Sequence, residues 1–156
     1  MTHEEKQLVQ TTFAKAERIP EIVGLAFYQH LFTIDPDLRP LFRNDIHEQS
    51  KKLMATLKLA VESLENPQNL VPALQALGRR HLQYGVRDAH YDTVGIALLW
   101  TLEHTLGTDF SPKARHAWSL VYAWVATTMR EAAMVAAASF DTSRFSAPTS
   151  NGGRNH

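Results

Sequence analysis

The chain has 156 residues, a length typical of one domain that buries a substantial core. Sixteen basic and sixteen acidic residues balance, so the composition gives no indication of binding to nucleic acid or to an anionic membrane. The absence of cysteine excludes disulfides, thiolate metal sites, a cysteine nucleophile and thioether attachment of a cofactor.

Apolar residues recur with helical spacing throughout the chain, so the sequence predicts an all-α fold. Proline directly follows a capping residue type at three helix starts, Asp35-Pro36, Asn66-Pro67 and Ser111-Pro112. Glycine, which tolerates the left-handed conformation that ends many helices, marks two helix ends at Gly85 and Gly107. These signals predict about seven helices, near residues 3–18, 21–34, 36–42, 46–65, 68–84, 89–106 and 112–138.

The composition changes after the last predicted helix. Residues 139–156 are small and polar and include proline and glycine, a pattern typical of a disordered tail. We therefore expect one domain over residues 1–138, followed by a tail over 139–156. No segment has the length and apolar character of a membrane span or of a signal peptide, which favours a cytoplasmic protein.

Two polar residues lie on otherwise apolar helix faces in the first half of the chain. Tyr28 shares a stripe with Leu25 and Phe32, so its phenol is expected to enter the core and to need a hydrogen-bond partner. Gln49 is the polar member of a face formed by Ile46, Gln49, Leu53, Leu57, Ala60 and Leu64. Taken singly, each has a simple alternative: a tyrosine whose tip reaches water, or a glutamine at a fraying helix start.

One histidine has the same inward orientation. The spacing of 4, 3, 4 and 3 residues places Leu70, Leu74, Leu77, His81 and Tyr84 on one helix face. An imidazole in a core needs a partner for each nitrogen. One nitrogen can bond the Leu77 carbonyl a turn earlier, which leaves the other free to hold a metal. The alternative is a core histidine whose hydrogen bonds are all satisfied.

Together, these polar groups predict a cavity between three helices. One imidazole would be able to ligate a metal, and Tyr28 and Gln49 would be able to form hydrogen bonds. A haem with a reactive open face requires this combination.

The chain resembles a globin over about residues 4–138. It is most similar to bacterial single-domain haemoglobins related to the globin part of flavohaemoglobins. The matching runs are Ala26-Phe27-Tyr28-Gln-His-Leu31-Phe32, Pro40-Leu41-Phe42, Gln49-Ser-Lys-Lys-Leu53, Leu77-Gly-Arg-Arg-His81-Leu-Gln-Tyr84-Gly85-Val86, His90-Tyr91 with Val94-Gly95, and Ala117-Trp118 with Val121-Tyr122. The resemblance implies a globin fold, with helices in a three-on-three arrangement around a non-covalent haem b.

The resemblance also implies roles for single residues. His81 matches the proximal iron ligand, and Phe42 matches the phenylalanine that packs against the haem plane. Tyr28 matches the distal tyrosine, and Gln49 and Leu53 match the pair on the distal helix.

Two further residues would lie near the haem. Tyr91, ten residues after the ligand, matches a tyrosine on the proximal side. Arg80 lies about 100° from His81 around the helix and could reach a haem propionate, with a solvated outer face as the alternative.

The chain departs from the flavohaemoglobin pattern in the last helix. Flavohaemoglobins carry a glutamate there that bonds the proximal histidine, and ungapped alignment from Trp118 places Ala133 at that position. Glu131 is close in sequence, but two residues of helix turn it about 200° away. No reductase sequence follows residue 138, so we expect an external reductase.

Two functions follow from the resemblance. The first is reversible, high-affinity binding of O2 for storage or for handover to an oxidase. The second is nitric oxide dioxygenation, with Tyr28 and Gln49 as the candidate catalytic residues. Carbon monoxide is a further expected ligand, and the protein would be a monomer or a homodimer.

Overall fold

Six α-helices and three short 3-10 helices build the described part of the chain, which contains no strand. The structure is a computed structural model that describes residues 1–42 and 45–152, with side chains to residue 139. The α-helices are α1 (His3–Ala16), α2 (Pro20–Ile34), α3 (Ile46–Glu62), α4 (Val71–Gln83), α5 (Asp88–Leu106) and α6 (Pro112–Gly152). The 3-10 helices span Pro36–Leu41, Pro67–Asn69 and Gly107–Asp109. The all-α prediction is confirmed.

Local signals explain several helix boundaries. The Ser111 hydroxyl accepts a hydrogen bond from the Ala114 amide at 3.1 Å, and Asp35 caps the first 3-10 helix through the Asp37 amide at 3.2 Å. Helix α1 begins with a capping box that the sequence analysis missed. There, Thr2 accepts from the Glu5 amide and the Glu5 carboxylate accepts from the Thr2 amide.

Three predicted helices differ from those observed. Residues 36–42 form a 3-10 helix, and the helix predicted at 68–84 is divided into Pro67–Asn69 and α4. Proline favours a helix start and lacks an amide donor: Pro67 begins the 3-10 helix, and Pro72 lies in the first turn of α4. Helix α6 continues past the predicted end at 138 to Gly152. Residues 153–156 of the predicted tail lie outside the described residues, and the division into domain and tail stays a prediction.

The helices pack in two layers of three. Helices α1, α3 and α4 form one layer, and α2, α5 and α6 form the other. Across the layers, α3 lies on α2, while α4 and α1 lie on α6. Within the described residues, no helix combines the length and apolar character needed to cross a bilayer.

Two glycines allow helices from opposite layers to touch. A Cβ on Gly78 of α4 would lie 2.9 Å from the Met129 Cα of α6. A Cβ on Gly24 of α2 would lie 3.1 Å from the Ser50 Cα of α3. The first distance is too short for a real side chain, and the Cβ on Gly24 would also overlap the Ser50 side chain, so these glycines set how closely α4 and α3 approach the other layer.

A buried hydrogen bond joins the first helix, α1, to the last, α6. The Trp118 indole donates to the Thr12 hydroxyl at 2.7 Å, and both side chains are almost fully buried. Thr12 in turn donates to the Leu8 carbonyl at 2.6 Å, so the indole has an acceptor inside the core.

We expect Thr12→Val to destabilise the fold by about 1–3 kcal/mol, because it leaves the indole N–H buried without a partner. Thr101→Val is the matched control, since the Thr101 hydroxyl is equally buried but bonds only the Ala97 carbonyl of its own helix. Urea unfolding of both variants measures the difference. Equal losses of stability would contradict a special role for the indole bond.

Candidate haem-binding site

The end of α4 fixes the position of His81. Gly85 has a φ of 94°, which favours glycine, and directs the chain back over the helix end. The Val86 amide donates to the His81 carbonyl at 2.9 Å, and the Gly85 amide donates to the Leu82 carbonyl at 3.1 Å. These two bonds form a Schellman turn, so the helix end predicted at Gly85 is confirmed.

The His81 imidazole lies in an environment that favours its neutral form. Its Nδ1 atom is buried and makes no hydrogen bond of full geometry. Burial lowers the pKa of His81, the Leu77 carbonyl acts in the opposite direction, and the positive charge of Arg80 lowers it again. The Leu77 carbonyl thus acts on the ring, but Nδ1 has no hydrogen-bond partner, so the hydrogen bond predicted from the sequence stays a prediction. A neutral imidazole is the form that ligates a metal.

Tyr28 enters the core from α2, as predicted. The side chain is 4% exposed, and its hydroxyl donates to the Gln49 main-chain carbonyl at 3.2 Å. The Phe27 and Phe42 rings contact it edge-on, with centroids at 4.9 and 5.3 Å. Burial raises the pKa of Tyr28, so the phenol keeps its proton and remains a donor at neutral pH.

The helix α3 side of the site contains Gln49 and Leu53, one turn apart. Both are half-buried, and Leu53 packs against the apolar core. The contact between Gln49 and Tyr28 uses the glutamine main chain, whereas the sequence analysis considered only its side chain. Phe42, which follows the first 3-10 helix, is also half-buried and packs edge-on against Tyr28 and Phe32.

Tyr91 lies in the first turn of α5, where α6 holds it. The Arg130 guanidinium lies 5.3 Å from the centre of its ring, and the Tyr122 hydroxyl donates to its carbonyl at 2.5 Å. The Tyr91 hydroxyl is buried without a hydrogen-bond partner. Burial raises the pKa of Tyr91, and the charge of Arg130 opposes this shift.

The remaining residues singled out from the sequence lie mostly at the surface. Tyr84 was expected to point inward but is 63% exposed. It occupies the cap position after the last regular turn of α4, where helical spacing no longer sets the direction of a side chain. Arg80 is exposed beside His81, so its predicted contact with a propionate stays a prediction. Glu131 is exposed and Ala133 is half-buried, and His47 of α3 is exposed.

The sequence analysis assigned no role to three residues near Tyr91. His90 is 8% exposed, and its Nδ1 accepts from the Arg87 amide at 2.9 Å. Arg130 and Tyr122 join α6 to the start of α5. The sequence held only weak signals for these roles. His90 lies three residues after the N-cap of a helix, and Arg130 lies eight residues after Tyr122 in one helix.

The chemistry of these residues fits a haem. Two buried polar atoms, His81 Nδ1 and Tyr91 Oη, lack partners, as expected of groups that serve a bound molecule or ordered water. Several large apolar side chains of α3 to α5 pack against the core yet remain half-buried: Leu53, Leu57, Leu77, Val86 and Val94. An apolar pocket with an imidazole ligand and few polar groups is suited to a porphyrin.

Comparison with known proteins identifies the family. A family model of globins matches residues 25–129. The chain therefore belongs to the globin family, which consists of helical haem proteins. The resemblance stated from the sequence motifs is confirmed.

The curated relatives include flavohemoproteins from Bordetella parapertussis and Bordetella pertussis. Each is 31% identical over 144 residues, which cover 88% of this chain and 36% of the relative. The chain thus spans about a third of the length of these relatives.

Solved structures share the fold at lower sequence identity. One is an engineered carbene transferase, described as a putative nitric oxide dioxygenase from Rhodothermus marinus, with 23% identity and a TM-score of 0.82 over 90% of this chain and 99% of that one. Another is a bacterial globin from Campylobacter jejuni, with 23% identity and a TM-score of 0.75 over 85% and 96%.

Proposed function

We propose that this globin binds O2 reversibly and with high affinity, holding a non-covalent haem b through His81. The observation that carries the proposal is that each helix layer contributes one uncharged polar group to the interior, His81 from α4 and Tyr28 from α2. An imidazole whose Nδ1 has no hydrogen-bond partner lies at the end of α4, and a buried phenol on α2 donates to the α3 main chain. His81 would hold the haem, and a bound haem would supply the ferrous iron that binds O2.

Tyr28 supplies the distal hydrogen bond. Its aromatic neighbours fix the ring, so the hydroxyl hydrogen is the part that can still turn. The present bond to the Gln49 carbonyl is 3.2 Å, longer than the usual 2.5–3.0 Å for a hydroxyl donor. The phenol can therefore exchange this weak bond for a shorter one to a bound ligand. A donor in a dry pocket stabilises the negative charge on bound O2 and slows its release.

Gln49 and Leu53 complete the distal side. Leu53 adds apolar surface that excludes water, which strengthens the Tyr28 bond. The side-chain amide of Gln49 is a second candidate donor. Because the Gln49 carbonyl accepts from Tyr28, a shift of the first turn of α3 would change the phenol as well.

The proximal side favours binding over oxidative chemistry. Three causes shift the pKa of His81: its burial, the Leu77 carbonyl and the charge of Arg80. No carboxylate is among them. A carboxylate partner would make the imidazole more electron-donating. Ala133 cannot supply one, and Glu131 is exposed.

Nitric oxide dioxygenation is the second candidate function, and it is the activity named in the description of one structural neighbour, the Rhodothermus marinus protein. The reaction would combine nitric oxide, O2 and one electron from a reductase to give nitrate. Tyr28 would serve this reaction by the same hydrogen bond, so the distal geometry alone does not decide between the two functions.

His81→Ala should bind haem weakly or lose it, because the variant removes the proposed iron ligand. His116→Ala, which changes an exposed histidine, is the control and should keep full occupancy. The ratio of Soret to protein absorbance, together with acid–organic extraction, measures haem content. A His81→Ala protein with full occupancy and an unchanged ferrous spectrum would show that another group ligates the iron.

Tyr28→Phe should release O2 at least about tenfold faster, since it removes a hydrogen bond of roughly 1.4 kcal/mol and keeps the ring. Tyr84→Phe removes an exposed hydroxyl and should leave the rate unchanged. Stopped-flow displacement of O2 by carbon monoxide measures both rates. If the two variants release O2 at the wild-type rate, Tyr28 is a core tyrosine without a distal role.

Turnover of nitric oxide separates the two functions. With NADH, a generic reductase and excess O2, an oxygen-binding protein should oxidise only about one equivalent of nitric oxide rapidly and then slow. A stopped-flow record of nitric oxide consumption gives the number of turnovers. Fast consumption sustained over many equivalents would establish the dioxygenase instead.

A further inference from the structure

A histidine caps the start of α5. The N-cap residue, Arg87, makes no side-chain hydrogen bond to the helix start. The cap instead runs backward from the third helical residue: His90 Nδ1 accepts from the Arg87 amide at 2.9 Å. Glutamate or glutamine usually makes this bond in a capping box.

The direction of this hydrogen bond determines the state of the imidazole. Because Nδ1 accepts, it carries no proton, and the neutral ring must have its proton on Nε2. Protonation of the ring would turn Nδ1 into a donor facing the Arg87 N–H. The cap would then be lost, and a positive charge would lie at the positive end of the helix dipole.

The charged side chains of this turn pair with one another. Arg130 of α6 donates to Asp92 Oδ1 at 2.7 Å, and its Nε lies 3.0 Å from Asp88 Oδ1 without the angle of a hydrogen bond. The nearby phenol of Tyr122 donates to the Tyr91 carbonyl. No described ion pair includes His90, so its cap depends on its own protonation.

The capped amide lies next to the turn that ends α4. Residues 84–87 connect the two helices, and the Val86 amide in this link bonds the His81 carbonyl. The cap therefore holds Arg87, the residue that directly follows Val86 in this link. If the cap opens, Arg87 is no longer held, and the neighbouring Val86 amide, which forms the Schellman turn with the His81 carbonyl, can move more freely.

We propose that His90 is a proton-sensitive cap that loosens the α4–α5 link on acidification. The cap itself depends only on the described contacts. Its consequence for the cofactor, faster haem loss in acid, rests on the proposed role of His81.

Amide hydrogen exchange on the full-length protein as purified tests the cap. On acidification from about pH 8 to pH 5, the protection factor of the Arg87 amide should fall about fivefold, and that of Val86 should follow. His90→Gln keeps an acceptor that does not titrate, so its protection factors should stay constant. His116→Gln, the exposed control, should behave as the wild type.

A wild-type protection factor that stays constant, or an equal fall in His90→Gln, would overturn the proposal. The nitrogen chemical shifts of the wild-type ring give a test that needs no variant. At neutral pH the proton should be on Nε2, and a proton on Nδ1 would also overturn the proposal.

Haem transfer to excess apomyoglobin tests the consequence. Acid should accelerate transfer more from the wild type than from His90→Gln, and equal acceleration would overturn the link to haem. Failure of the His81 assignment is recognised separately, by full haem occupancy in His81→Ala.

Discussion

The close approach of α4 and α6 at Gly78 is the contact on which the geometry of the site depends. No side chain separates the two backbones there, since a Cβ would lie 2.9 Å from the Met129 Cα. This contact sets the depth of α4 in the fold, and His81 follows one turn later. The Schellman turn at Gly85 then ends the helix before it can continue past the pocket. A second glycine contact, Gly24 with Ser50, sets the position of α3 on the opposite side.

Burial favours the uncharged form of both polar groups of the site. It lowers the pKa of His81 and raises that of Tyr28, so both side chains are uncharged at neutral pH. An uncharged imidazole can ligate a metal, and an uncharged phenol can donate a hydrogen bond. The same low polarity that makes these groups costly to bury makes their interactions with a bound ligand stronger. Tyr91 shows this cost, because its buried hydroxyl has no partner among the described residues.

The helices and the inward direction of His81 and Tyr28 could be predicted because they depend on local patterns. Helical spacing and the proline and glycine signals act within a few residues. The predicted inward direction of Tyr84 was wrong, because helical spacing no longer sets the direction of a side chain where the helix ends. The pattern also could not show that Tyr28 bonds the main chain of Gln49, or that Arg130 lies on the ring of Tyr91. Those contacts join residues that are 21 and 39 positions apart, and only the packing of whole helices brings them together.

The most direct test of the central claim is the iron–histidine stretching mode in the resonance Raman spectrum of the ferrous, ligand-free protein. A neutral His81 without a carboxylate partner predicts one such mode, at the low frequency typical of a neutral imidazole ligand. A mode at the high frequency of an imidazolate-like ligand would contradict the proximal side described for this globin. The absence of any iron–histidine mode would contradict ligation by His81 altogether.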